Sequence, residues 1–153
     1  MGADLSHPAN AGLLAYLGPR AGKDAPASQS PDSVSDPYYT LGTHPDLVEW
    51  LWETLSGKIP RACRWVVYRT PALVHPETGV IFGWAGGTHT YALRLPPALF
   101  AEAVRAGAKR VYRYPGGHVI DLESIGPGWV FGDWNKPEAD WCLAAYEYAD
   151  DDE

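Results

Sequence analysis

Hydrophobic and polar positions are most regularly spaced between Arg64 and Pro96, a stretch that reads RWVVYRTPALVHPETGVIFGWAGGTHTYALRLP. Trp65, Val66, Val67 and Tyr68 open it with aromatic and β-branched residues, the kinds that fit a pleated, half-buried surface. Pro71 lacks an N–H and is expected to interrupt this ladder, with extended chain resuming from Ala72 to His75. His75, Pro76, Glu77, Thr78 and Gly79 read as a turn, since Pro76 presets its own φ and Gly79 accepts a positive one. Val80 to Ala85 is a second apolar run, broken by Gly86-Gly87, and His89 to Leu95 is a third, ended by Pro96-Pro97. Three strands with short connections predict an antiparallel meander. In the third strand His89, Tyr91, Leu93 and Leu95 share one face, while Thr88, Thr90, Ala92 and Arg94 share the other. That alternation predicts one buried side and one wetter side.

Helical spacing appears three times. From Thr43 to Gly57, Leu47, Val48, Leu51 and Leu55 form an apolar stripe, Thr43 suits the N-cap and Pro45 suits the first turn, which predicts a helix over 44–56. Leu99, Phe100, Ala103 and Val104 predict a second helix over 97–106, and Trp141, Ala144, Ala145 and Tyr148 a third over 137–148, with Asn135 as its cap. Between the last two lie strand-like runs at 109–114, 118–125 and 129–134, separated by Pro115-Gly116-Gly117 and Gly126-Pro127-Gly128. Strands in runs, separated by helices, predict an α+β fold. We expect one mainly antiparallel sheet of five or six strands with about three helices packed largely on one face.

Composition changes this picture at the ends of the chain. Residues 1–36 are rich in Ala, Gly, Pro, Ser and Asp and read as a flexible segment, in which Leu13, Leu14, Tyr16 and Leu17 allow a short helix or docking segment over 9–17, followed by a linker over 18–36. The globular domain is expected over 37–149 and an acidic tail over 150–153. Net charge is −7, unevenly spread: residues 1–57 carry −5, residues 58–113 carry +7 and residues 114–153 carry −9. A net-acidic chain is a poor general binder of nucleic acid, whose affinity rests on phosphate neutralisation. No apolar run approaches the length of a membrane span. Neither a secretory leader pattern nor a CxxC pair is visible, so a cytoplasmic location with Cys63 and Cys142 reduced is the expectation.

Candidate chemistry is sparse. His75, His89 and His118 fall next to predicted turns without metal-ligand spacing, so we expect no metal, and no nucleotide motif calls for a cofactor. Gly86 to Thr90 combines glycine, hydroxyl and imidazole but lacks phosphate-loop spacing. Asp121 and Glu123 would share a strand face about 7 Å apart. If the chain is an enzyme, it is a cofactor-independent hydrolase or transferase, or else a small-molecule binder. His89 or His118 would act as acid–base group and Asp121 would orient it, with Arg94 or Arg113 holding an anionic substrate. The leading expectation is different: a non-enzymatic module that masks a more basic protein partner, in the manner of a bacterial immunity or antitoxin protein. Its aromatic anchors would be Trp129 and Trp134, with Asp121, Glu123, Asp133 and Asp140 steering association.

Overall fold

A computed structural model describes residues 2–21, 24–41, 43–86, 90–113, 116–117, 119–132 and 139–150. The chain order is α1 (Ala11–Ala21), α2 (Pro37–Thr40), α3 (Pro45–Glu49, continued by a π-helical segment Trp50–Leu55), β1 (Arg64–Val67), β2 (Thr70–Val74), β3 (Ile81–Gly86), β4 (Thr90–Arg94), α4 (Pro97–Arg105), β5 (Val111–Arg113), β6 (Val119–Asp121), α5 (Leu122–Ile125), β7 (Trp129–Phe131) and α6 (Ala139–Asp150). The fold is α+β. Five antiparallel strands form the main sheet in the order β1-β2-β3-β4-β7, and β5 pairs with β6 in a separate ribbon.

The expected break at Pro71 lies three residues too late. Val67 pairs with Thr70, so Tyr68 and Arg69 alone turn the chain, with φ of 46° and 64°, and Pro71 sits inside β2. Two central residues of positive φ are what the right-handed twist of a two-residue hairpin demands, and here non-glycine residues supply them. The run from 118 to 125 is also shorter as a strand than expected. Asp121 accepts a hydrogen bond from the Glu123 N–H and starts α5 at Leu122. Thr43 is likewise not the cap of α3: His44 Nδ1 accepts from the Asp46 N–H instead.

Both faces of the sheet are covered. On one face, α3 with its π-helical continuation, α4 and α6 bury Leu47, Val48, Leu51, Leu55, Ala103, Cys142 and Ala145 against Leu73, Phe82, Tyr91, Leu93 and Val130. On the other, α1, α5 and the ribbon bury Leu13, Leu17, Ile120, Leu122 and Ile125 against Val67, Ala72, Ile81, Trp84, Ala92 and Trp129. Every residue of β4 is therefore buried, Thr90 and Arg94 included, and the wetter side expected for this strand does not exist.

The second layer depends on the N-terminal residues. Leu13 and Leu17 are buried on the sheet, and full burial of each contributes about 1.5–3 kcal/mol of transfer free energy. Gly12 lies so close to the Ile125 carbonyl that a side chain there would displace α1 from α5. Ahead of the helix, the buried Asn10 side chain donates to the Asp4 and Gly79 carbonyls, both at 2.8 Å, and accepts from the Ile81 N–H at 2.8 Å. Gly79 has a φ of 74°, and a Cβ on it would sit 2.7 Å from Asp4 Cβ. These contacts pack residues 2–17 against the sheet, in keeping with a docking segment over 9–17.

Two stability measurements check this account. Asn10→Ala strands the Ile81 N–H in the core and should cost about 1–3 kcal/mol in urea unfolding; an unchanged midpoint would show that Asn10 does not anchor the arm. The Trp52 Nε1–H donates to the Ala72 carbonyl at 3.2 Å, whereas the buried Trp84 Nε1 finds no acceptor among the described residues. Trp52→Phe should therefore destabilise more than Trp84→Phe, by about 1 kcal/mol.

Candidate functional site

The described residues among those singled out in the sequence do not converge on one site. His89, His118, Asp133 and Trp134 lie outside the described residues, as does the glycine turn after Gly86. Trp129 is 1% exposed within β7, so it is a core residue and not a surface anchor. Its correction follows from register: β7 pairs with β4, which directs Trp129 into the layer beneath α1 and α5. Arg94 is buried with its guanidinium 4.8 Å from the centre of the Tyr148 ring, where an anionic substrate has no direct access. Asp121 and Glu123 do not share a strand face, because one caps α5 and the other lies in its first turn. Glu123 faces Arg110 at 3.3 Å, Asp140 pairs with Lys58, and Arg113 is exposed on β5.

The remaining described histidines act structurally. His7 Nδ1 accepts from the Ala9 N–H, as His44 Nδ1 does from the Asp46 N–H. His75 is buried in the turn after β2, where its Nδ1 accepts from the Glu77 and Thr78 N–H groups at 3.1 and 3.3 Å. Acceptance at Nδ1 leaves the proton on Nε2, which faces Asp150 at 3.4 Å, while the ring stacks on Tyr146 at 4.8 Å. Asp150 was expected to sit in an acidic tail; it ends α6 opposite this imidazole.

A surface that answers to the expected chemistry lies on α2 and α3. Asp36, in the left-handed region at φ 50°, leads into Pro37 and the single turn of α2. That turn packs the Tyr38 ring on Trp52, 6.2 Å between centroids, and leaves Tyr39 71% exposed. Along α3 and its continuation Leu47, Val48, Leu51 and Leu55 face the core, so Asp46, Glu49 and Glu53 come out on the solvent side about one turn apart. Glu53 is held in place: its Oε2 accepts from the Tyr38 hydroxyl and from Arg64 Nη1, both at 2.8 Å. The Tyr38 hydrogen bond and then Arg64 lower the Glu53 pKa, so its carboxylate stays charged. Burial first, and the Glu53 carboxylate second, raise that of Tyr38.

No family model, no curated protein and no solved structure matches this chain.

The arrangement on α2 and α3 offers contact area and negative charge, not a reactive group. Aromatic content pointed to the segment near Trp129 rather than to this face, but content alone does not distinguish a core ring from a surface one. The signal was present: polar positions 46, 49 and 53 recur opposite the apolar stripe that predicted the helix.

The thiols are equally unreactive. Cys63 and Cys142 lie in one core cluster, and burial pushes both up to about 12 from 9.0, with Cys63 adding to the effect on Cys142. Each folded-state pKa lies above the unfolded value, so the neutral thiols contribute stability that is complete below about 9 and is lost as pH rises toward 12. Tyr38 and Tyr146, raised above 10.0, act in the same direction. Urea midpoints should fall steadily between pH 9 and 11, and Cys142→Ala should flatten that fall while lowering the midpoint at neutral pH.

Proposed function

We propose that the protein is a non-enzymatic, cytoplasmic protein-binding module that masks or inhibits a more basic partner, as an immunity or antitoxin protein does. Neither nucleic acid nor a membrane is its primary target in this reading. No helix among the described residues is long and apolar enough to cross a membrane. The observation that carries the proposal is the exposure of Tyr39, at 71%, on a surface that also presents Asp46, Glu49 and Glu53. A tyrosine ring in water gains by burial in a partner's pocket at the cost of only two side-chain torsions. Carboxylates around such an anchor attract a basic protein and set its orientation, and a net charge of −7 extends that attraction beyond contact distance. Glu53, fixed by Tyr38 and Arg64, is pre-organised for a hydrogen bond across an interface.

The proposal moves the anchor from the buried Trp129 to Tyr39 and keeps the same kind of partner. Affinity capture from the native host, run in parallel with wild type and a Tyr39→Ala, Glu49→Lys variant, tests it. Wild type should retain a basic protein that the variant loses, and retention should weaken with added salt. Recovery of only general chaperones, or equal recovery of one partner by both proteins, would overturn the reading.

A further inference from the structure

β1 is the outermost strand of the sheet, and an outer strand presents unpaired backbone groups on its free side. Here they are covered by the chain's own residues. The Val66 N–H donates to the Gln29 carbonyl and the Val66 carbonyl accepts from the Gln29 N–H, both at 2.9 Å, and the Tyr68 N–H donates to the Ala27 carbonyl at 3.3 Å. This pairing is antiparallel and very short. Pro26 precedes it, and Ser30-Pro31 turns the chain away into a 3-10 turn. Pairing therefore ends before it reaches Arg64, the next residue of β1 whose carbonyl points outward.

None of residues 24–36 in this strap is buried. Its side chains contribute a hydrogen bond from the Ala3 N–H to Ser28 Oγ at 3.0 Å, and one from Gln29 Nε2 to Ser33 Oγ at 3.2 Å. Val34 packs at the rim of the core. Segments with few buried contacts and exposed hydrogen bonds open far below the free energy of global unfolding. The strands beneath, β2 to β4, are buried almost throughout.

We propose that the free edge of β1 is a strand-addition site for an extended, proline-free peptide segment of a partner, and that residues 27–29 occupy it until displaced. The strap itself displays what fits: extended backbone, small side chains at Ala27 and Ser28, and recognition through main-chain hydrogen bonds. A proline-free segment runs further than the strap can, past Val66 to the Arg64 carbonyl, and so replaces the three main-chain bonds to β1 and adds one, which offsets the lost bond between Ala3 and Ser28. The two sites meet at Arg64, whose carbonyl belongs to this edge and whose guanidinium holds Glu53, but the edge is read by main-chain hydrogen bonds and either proposal stands if the other fails.

The test combines backbone hydrogen exchange with binding of a labelled seven-residue peptide of alternating threonine and valine. Gln29→Pro removes one bond to Val66 and should speed exchange at Val66 and Tyr68 while β2 to β4 stay protected. It should also tighten peptide binding about ten-fold, the factor that one or two hydrogen bonds supply. In wild type, which needs no substitution, millimolar peptide should speed exchange at Gln29 while Val66 remains slow. The same peptide with methylated backbone nitrogens should do neither. Faster exchange at Val66 without tighter binding overturns the proposal, as does a Gln29 amide indifferent to peptide in wild type. A concentration-dependent dimer of Gln29→Pro that takes up no peptide assigns the edge to a second copy and equally overturns it.

Discussion

A five-stranded sheet buried on both faces needs two apolar layers, and this chain draws the second from segments far apart in sequence. One layer comes from the three helices with strong apolar stripes. The other is assembled from α1, α5 and the β5–β6 ribbon. Asn10 ties the first of these to the sheet by accepting from the Ile81 N–H, which the turn after β2 would otherwise bury unpaired, and by donating to the Gly79 carbonyl, which also accepts from the Asp4 N–H. Gly12 then lets α1 approach the end of α5. Removing this layer would expose Val67, Ala72, Ile81, Trp84, Ala92 and Trp129 on the underside of the sheet.

Among the described residues, core and turns engage the histidines and much of the charged chemistry. His7, His44 and His75 spend their Nδ1 lone pairs on backbone N–H groups. Arg110 is shared among the Trp129 and Gly126 carbonyls and Glu123 while stacking on Phe100, so it pins the ribbon region to β7. The face around Tyr39 differs in that its ring turns outward and its carboxylates line a solvent-facing helix edge. Its rigidity has an internal source: the Tyr38 ring rests on Trp52, whose indole is itself bonded to β2.

The outer edge of β1 shows how the same chain manages a sheet margin. Arg64 and Tyr68 frame a short edge that Ala27 to Gln29 cover with backbone alone, and prolines on either side stop the pairing from spreading. The opposite margin is treated differently: the Phe131 N–H donates to the Lys109 carbonyl, so a loop and not an extended strand closes β7.

Periodicity alone determined the α+β class, the antiparallel order of the strands from Arg64 to Leu95, and helices close to those observed at Pro45–Leu55, Pro97–Arg105 and Ala139–Asp150. These signals are local, since an apolar stripe or a proline at a first turn acts within a few residues. The Tyr68–Arg69 turn was hidden because neither residue is a usual turn former, and only the pairing of Val67 with Thr70 forces positive φ on them. For residues 9–17 the apolar Leu13 and Leu17 suggested a docking segment, but not where it docks. That is decided by Asn10 reaching a turn some seventy positions away. Trp129 and Tyr39 make the same point at the candidate site. Sequence marks both as aromatic, but which one faces water depends on strand register and on the layer above it, and those are properties of the assembled fold.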